Sequence, residues 1–229
     1  MPGQPAAAIR ALLDEYGGSY AKALDIELDS LRNDALCQWL LAAVLYGAPI
    51  SEALASRTWR EFAASGVLSP QRMLDTGWEG LVRLLDRGGY TRYDYKTATK
   101  LLDLSRSLLA DYGGDLNALH VAASGPADLE RRLMALSKGI GPTTANIFLR
   151  ELRGLWPKAE PPLSPLAFAA AAQLGFLPDK CTPEKALSQL QLLWRQWGQP
   201  HDTFREFETA LVRAGLRLRH TTTVVEMSV

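Results

Sequence analysis

The chain has few cysteines, no long apolar segment and no signal-like start. Two cysteines in 229 residues, Cys37 and Cys181, cannot make a disulfide framework and indicate a reducing compartment. No run reaches the roughly 18 apolar residues that a membrane-spanning helix needs. Met1–Pro5 lacks the charged-then-apolar form of a signal peptide. We therefore expect a cytoplasmic protein that does not act at a membrane.

The chain also has no excess of positive or negative charge and no cluster of histidines. The 25 basic residues are balanced by 25 acidic ones, so the net charge is zero. This balance weakens a nucleic-acid-binding interpretation but allows a local basic patch. His120, His201 and His220 are far apart and show no metal-ligand spacing, and we expect no metal site from them.

Helical periodicity and helix boundary signals are abundant. Apolar residues make up 47% of the chain, enough for a substantial core, and we find no convincing alternation of strand length. Gly and Pro residues divide the sequence into predicted helices, at about 5–16, 34–45, 51–66, 69–77, 78–87, 93–112, 127–136, 142–152, 164–174, from 182 onward and 202–214. The pattern predicts an all-α fold.

The segment Leu136–Asn146 predicts two helices joined by a short hairpin. Gly139 and Gly141 flank one apolar residue, Ile140, and glycine adopts positive φ without steric cost. Pro142 suits the first position of a helix, where its missing N–H would have been unpaired. The expected result is a helix start with free N–H groups, which can bind a phosphate without reading DNA sequence.

This hairpin and its flanks resemble the helix-hairpin-helix superfamily of base-excision-repair DNA glycosylases, which includes endonuclease III and the adenine glycosylases. The apolar segment 40–45, the segment 89–96 before a long helix, and the last helix at 204–215 are similar to family segments in the same order. The resemblance spans roughly residues 30 to 216. It implies two helical subdomains with a DNA groove between them.

The resemblance also implies a domain division and a partner. The central domain would comprise residues 31–155 and contain the helix-hairpin-helix at 126–152. The second would combine residues 1–30 with 156–229. The implied partner is double-stranded DNA, damaged or distorted. The oligomeric state is left open.

The family's DNA contacts can be transferred residue by residue. The implied DNA-binding residues of the hairpin are Lys138, Gly139, Ile140, Gly141, Thr143 and Thr144. Hairpin carbonyls in the family often hold a monovalent cation, a further expectation here. In the loop after the first core helix, Tyr46 or Ile50 could wedge into a base stack, or Ile50 could staple the following helix while Tyr46 packs. Arg92, Lys96 and Lys100 are spaced one turn apart on one predicted helix face, where they add positive charge or form a solvated face.

The family's catalytic groups are missing. Thr143 occupies the position of the lysine nucleophile, and Ser164 or Pro161, depending on the alignment, that of the aspartate. A hydroxyl replaces neither the amine that attacks the sugar nor the carboxylate that stabilises its positive charge. With two cysteines, the chain also lacks the four thiolates of the family's iron–sulfur cluster. We expect no cofactor.

Three functions remain open. The first is a DNA-binding protein without the standard glycosylase chemistry. The second is an active glycosylase or abasic-site lyase that uses other groups, with Glu160 or Asp202 as the carboxylate and Lys138 or Lys158 as the amine. The third is a protein-interaction module on the same scaffold. Steep salt dependence of binding would separate the first two from the third.

Overall fold

The computed structural model describes residues 4–226, and the fold of this part is all-α, as predicted. Residues 1–3 and 227–229 lie outside the described range. Eleven α-helices and no β-strand occur in the described residues: α1 (Gln4–Tyr16), α2 (Asn33–Tyr46), α3 (Glu52–Ala64), α4 (Pro70–Gly88), α5 (Asp94–Tyr112), α6 (Leu116–Ala122), α7 (Pro126–Ala135), α8 (Pro142–Arg150), α9 (Pro165–Gln173), α10 (Pro183–Trp197) and α11 (Phe204–Glu226). None of them is long and apolar enough to cross a membrane.

Side-chain caps set several of these boundaries. Ser51, Ser69 and Ser164 each accept a hydrogen bond from the backbone N–H three residues later, which satisfies a donor that the helix leaves unpaired. Asp115 caps α6 by accepting from the Asn117 N–H at 2.9 Å. The first three starts were predicted, whereas the seven-residue α6 was missed.

Two helix ends differ from the prediction. The predicted segments 69–77 and 78–87 form one element, α4, interrupted at Gly77, whose φ of 67° and ψ of 172° are not helical. The last helix, α11, extends to Glu226 rather than ending near Ala214. The kink matters for the site, because it precedes Trp78 directly.

The chain forms two compact units, described separately. One unit comprises Leu24–Pro161, and the other combines the residues up to Ala23 with those from Pro162 onward. In the second unit, α1, α9, α10 and α11 share a core in which Phe207 stacks on Trp194 with ring centroids 5.3 Å apart.

The core of the Leu24–Pro161 unit is organised around α2. Ten of the eleven positions from Ala35 to Leu45 are buried, all but Gln38, as expected for a helix surrounded by others. The Trp39 indole N–H donates to the Phe148 carbonyl at 3.1 Å, which fixes α8 against α2. Arg153, just after α8, donates to the Glu160 carboxylate and the Pro161 carbonyl, both at 2.7 Å. These contacts hold the helix that follows the hairpin.

Candidate nucleic-acid interface

The hairpin between α7 and α8 requires glycine at only one of its two glycine positions. Gly139 has a φ of +97°, a conformation that other residues rarely adopt. A Cβ there would also lie 3.2 Å from Lys100 Cε. Gly141 has a φ of −103° and a ψ of −178°, which is extended backbone open to any residue. The prediction that both glycines supply the turn is therefore right for Gly139 and wrong for Gly141.

The N-terminus of α8 carries no cap. Gly141 precedes the helix and has no side chain to accept a bond, Pro142 has no N–H, and the first turn contains no acidic residue. The first helical bond runs from the Ala145 N–H to the Gly141 carbonyl at 3.1 Å. Within residues 4–226, the N–H groups of Thr143 and Thr144 have no acceptor. The partial positive charge of this helix end is therefore not neutralised by the protein.

The predicted hairpin residues divide into exposed and buried ones. Lys138, Gly139 and Thr143 are exposed. The Ile140 side chain is only 5% exposed, and its N–H donates to the Ser137 carbonyl at 3.1 Å. Thr144 is 4% exposed. Ile140 and Thr144 thus anchor the hairpin, and their side chains are not part of its accessible surface.

Glycine at position 47 makes room for Thr144. A Cβ on Gly47 would lie 2.3 Å from the Thr144 Oγ1 atom, a distance that real Cβ atoms do not reach. The loop after α2 therefore lies directly against the first turn of α8. This contact places the loop residues and the hairpin on one surface of the unit.

The two predicted wedge residues are held differently. Tyr46 is half-buried, its hydroxyl is 2.8 Å from the Ser56 hydroxyl, and its ring lies 6.3 Å from Trp39. These contacts correspond to the packing interpretation of Tyr46. Ile50 is half-buried in the loop, where its N–H donates to the Ala48 carbonyl at 2.8 Å.

An open groove of about 650 Å³ begins at the hairpin. Lys138 and Gly139 line one side, the loop 47–49 another, and α5 with the second half of α4 the remainder. All of these segments belong to the Leu24–Pro161 unit. The groove and the uncapped helix start are therefore neighbouring features of one compact body.

Basic side chains predominate among the charged groups of this groove. Lys96, Lys100 and Lys138 line it, with Asp103 as the acidic member. Burial lowers the pKa of the Lys100 ammonium, as expected for a cation moved away from water. Arg92, from the same predicted group, precedes α5, and its guanidinium lies 5.5 Å from the centre of the Tyr93 ring. The neutral chain thus has a local basic patch.

Aromatic residues also line the groove, and sequence reasoning did not identify them as site residues. Tyr90 is buried, whereas Trp78 and Tyr95 are 40% and 61% exposed. The rings of Trp78 and Tyr95 are 5.2 Å apart between centroids. The signal available in the sequence was weak, because the two residues are 17 positions apart on different helices.

Three residues considered at the catalytic positions of the glycosylase superfamily are engaged in structural contacts: Ser164, Glu160 and Lys158. Ser164 accepts from the Ala167 N–H at 3.2 Å as the cap of α9. The Glu160 carboxylate is bound by Arg153. The Lys158 ammonium donates to the carbonyls of His120 and Val121, at 2.9 and 3.1 Å. Asp202, the other carboxylate considered, belongs to the second unit.

Cys37 is buried and does not line this groove. Burial raises the pKa of the Cys37 thiol to about 12. Within the described part of the chain, no group of three or more His, Cys, Asp or Glu side chains is arranged to hold a metal ion.

No protein-family model, curated protein or solved structure matches this chain. Its function is therefore inferred from its own residues.

Proposed function

We propose that this protein binds double-stranded DNA, particularly damaged or distorted duplex, through the hairpin at 138–144 and without the standard glycosylase chemistry. The observation that carries the proposal is the uncapped start of α8 beside the exposed Lys138. The N–H groups of Thr143 and Thr144 have no acceptor in residues 4–226, and Lys138 lies in the same hairpin, so a phosphate bound there could use both kinds of donor. Such contacts fix the position of a duplex without reading its sequence.

The helix start supplies the short-range part of the binding. The N–H groups of Thr143 and Thr144 have no acceptor in residues 4–226, and a phosphate oxygen can accept from both. The exposed Thr143 hydroxyl can add a third hydrogen bond. Because α8 has no acidic residue in its first turn, that turn itself does not repel an anion.

The neighbouring lysines supply the long-range part. Lys138 is exposed, and Lys96 and Lys100 extend the positive charge along the groove. Each lysine that neutralises a phosphate releases counterions, so the affinity must fall as salt rises. The zero net charge of the whole chain does not prevent this local effect.

The proposal excludes standard glycosylase chemistry because of three residues: Thr143, Glu160 and Ser164. Thr143 has no amine to form a Schiff base, and Ser164 serves as the cap of α9 and carries no carboxylate. Glu160 is held by a buried arginine. The standard nucleophile and the standard carboxylate are thus both replaced.

The test is fluorescence anisotropy with a dye-labelled duplex at several salt concentrations. Between about 50 and 200 mM salt, the logarithm of the binding constant should fall linearly with the logarithm of the salt concentration. The slope should be near −0.9 for each neutralised phosphate. We expect Lys138→Glu to weaken binding at least about tenfold, since a charge-assisted hydrogen bond is worth roughly 1.5–3 kcal/mol. Lys185→Glu, at an exposed lysine of α10, is the matched control and should have little effect.

Two results would count against this function. Salt-independent binding, or no binding at all, would favour the protein-interaction module. An equal loss in Lys138→Glu and Lys185→Glu would show non-specific attraction to positive charge rather than a site at the hairpin.

One observation favours abasic-site lyase activity as a second candidate. The Lys100 ammonium lies in the groove beside Gly139, and burial lowers its pKa, which increases the fraction of nucleophilic amine. Such an amine would add to the sugar aldehyde of an abasic site and lose water to give a Schiff base. Borohydride should then trap a protein–DNA adduct that Lys100→Gln abolishes. Absence of an adduct with duplex that is demonstrably bound would exclude this candidate.

A further inference from the structure

Two large aromatic side chains lie exposed in the groove without a role in the core. Trp78 is 40% exposed and Tyr95 is 61% exposed. Among the side chains whose exposure the structure describes, these are the large aromatic ones that are exposed. Both belong to the groove that begins at the hairpin. Exposed rings that occur as a pair indicate a binding surface more strongly than single apolar residues do.

Local contacts hold this aromatic pair in place without covering it. The Trp78 indole N–H donates to the Thr99 hydroxyl at 3.1 Å, and that hydroxyl donates to the Tyr95 carbonyl at 3.0 Å. The two rings are 5.2 Å apart and inclined by 43°. The helical break at Gly77 comes immediately before Trp78. The rings are therefore preorganised, and ordering them costs a ligand little conformational entropy.

The surroundings of the pair identify the chemistry of its ligand. Lys96, Lys100 and Lys138 line the same groove, so the ligand combines negative charge with flat apolar groups. A strand of DNA with unpaired bases has both properties, and aromatic platforms beside a basic groove are the usual means of binding it. A base inside an intact duplex is already stacked on its neighbours and cannot reach the rings. A purely apolar protein segment would leave three ammonium groups without partners.

We propose that Trp78 and Tyr95 form a stacking subsite for an unpaired base of DNA whose backbone is held at the hairpin. The inference rests on the proposed function and narrows its substrate class. DNA with a gap, a bulge or a single-stranded segment binds more tightly than fully paired duplex. The volume of about 650 Å³ lies within the range of roughly 300–1,000 Å³ typical of sites for small organic groups.

The test compares two DNA probes and six proteins by fluorescence anisotropy. The probes are a fully paired duplex and the same duplex with one unpaired thymidine in its centre. The proteins are the wild type and the variants Tyr95→Ala, Tyr95→Phe, Trp78→Leu, Lys138→Glu and Val121→Ala. Val121 is 74% exposed and lies outside the groove, so its variant controls for the loss of an exposed apolar side chain.

We expect the wild type to prefer the probe with the unpaired base. Tyr95→Ala should weaken binding of that probe by about tenfold, within the range measured for one stacked base, and change binding of the paired duplex by less than about twofold. Tyr95→Phe should retain the preference, because a phenyl ring also stacks. Val121→Ala should behave as the wild type. Trp78→Leu should reduce the preference in the same direction as Tyr95→Ala.

Other outcomes separate this inference from the proposed function. If both probes bind equally and Lys138→Glu weakens both while Tyr95→Ala weakens neither, the stacking subsite is wrong and duplex binding stands. If Tyr95→Ala weakens both probes equally, the ring contributes to general binding, and the subsite is again wrong. If the wild type binds neither probe, both proposals fail.

Discussion

Two neighbouring helices of this protein begin with the same dipeptide but leave their first turns in different states. Both α7 and α8 begin with glycine before the helix and proline at its first position. In α7, the carboxylate of Asp128 accepts from the Ser124 N–H at 2.8 Å and from the Ser124 hydroxyl at 3.2 Å. In α8, the equivalent third position is Thr144, which offers no carboxylate.

The difference shows that a glycine–proline start does not by itself make an anion site. The helix dipole of α7 meets an internal negative charge, which Arg132 also contacts at 3.1 Å. This charge offsets the dipole of α7 within the protein. The start of α8 has no such internal charge in its first turn. In the function we propose, the residue at the third helical position is what leaves the start of α8 open to a phosphate.

The largest expected effect comes from replacing Gly139 in the turn between α7 and α8. Gly139→Ala should lower the free energy of unfolding by about 1–3 kcal/mol, the cost of holding a non-glycine residue in a rare backbone conformation. The φ of +97° and the Cβ contact with Lys100 are the physical reasons. Urea denaturation measures the loss. Gly154→Ala, at a φ of +79° with open space around the Cβ, is the matched control for the backbone cost alone.

If Gly139→Ala lowered the free energy of unfolding no more than a surface substitution does, the positive φ at Gly139 would be incorrect. A larger loss in Gly139→Ala than in Gly154→Ala would measure the additional cost of displacing the Lys100 side chain.

The next substitution gives the first turn of α8 an acidic residue, as the first turn of α7 has. Thr143→Asp places a carboxylate in the exposed first turn of α8, where it would neutralise the helix dipole and repel phosphate. We expect DNA affinity to fall at least about tenfold while the free energy of unfolding rises by roughly 0.3–1 kcal/mol. Anisotropy and urea denaturation give the two values. Thr143→Asn is the control of equal size, and similar DNA affinities for the Asn and Asp variants would contradict the charge argument.

The helix starts were largely predictable from sequence because their determinants are local. The predicted helices 69–77 and 164–174 start at Ser69 and Ser164, and the structure confirms both starts. The seven-residue α6 was missed because it is too short for a clear apolar period, although Asp115 supplied a cap. Local signals therefore identify where helices begin better than they identify how many there are.

The exposed surface around the hairpin could not be predicted in the same way. Burial of Thr144 depends on Gly47, which is 97 positions earlier in the chain and makes room for the hydroxyl. The pairing of Trp78 with Tyr95 depends on how α4 packs on α5. Both are tertiary contacts, which periodicity and capping rules do not encode. The hairpin was found from its sequence, and its neighbours were found only from the fold.

The reverse experiment removes the negative charge from the first turn of α7. Asp128→Asn removes the internal charge and should lower the free energy of unfolding at neutral pH without changing DNA affinity. Bonds from the Ser124 N–H and from Arg132 lower the pKa of Asp128 from 3.8 to about 2. The ionised carboxylate therefore stabilises the fold fully above about pH 4, and this contribution is lost as the pH falls toward 2.

Urea denaturation from pH 7 to pH 2.5 checks this titration. The difference in stability between the wild type and Asp128→Asn should be constant at neutral pH and shrink in acid. A difference that did not change with pH would mean that the shape of the side chain matters and its charge does not.

The smallest expected effect is at Gly141, the residue before α8. Gly141→Ala should change the free energy of unfolding by less than about 0.5 kcal/mol, because two small terms oppose each other. Alanine is a poorer residue than glycine before a helix, but it restricts the unfolded chain. The φ of −103° and the absence of any atom within 4 Å of the built Cβ mean that the native backbone accepts the methyl group. Urea denaturation beside Gly139→Ala gives the comparison. Equal losses in the two variants would show that both glycines are needed for the turn and that the extended backbone at position 141 is incorrect.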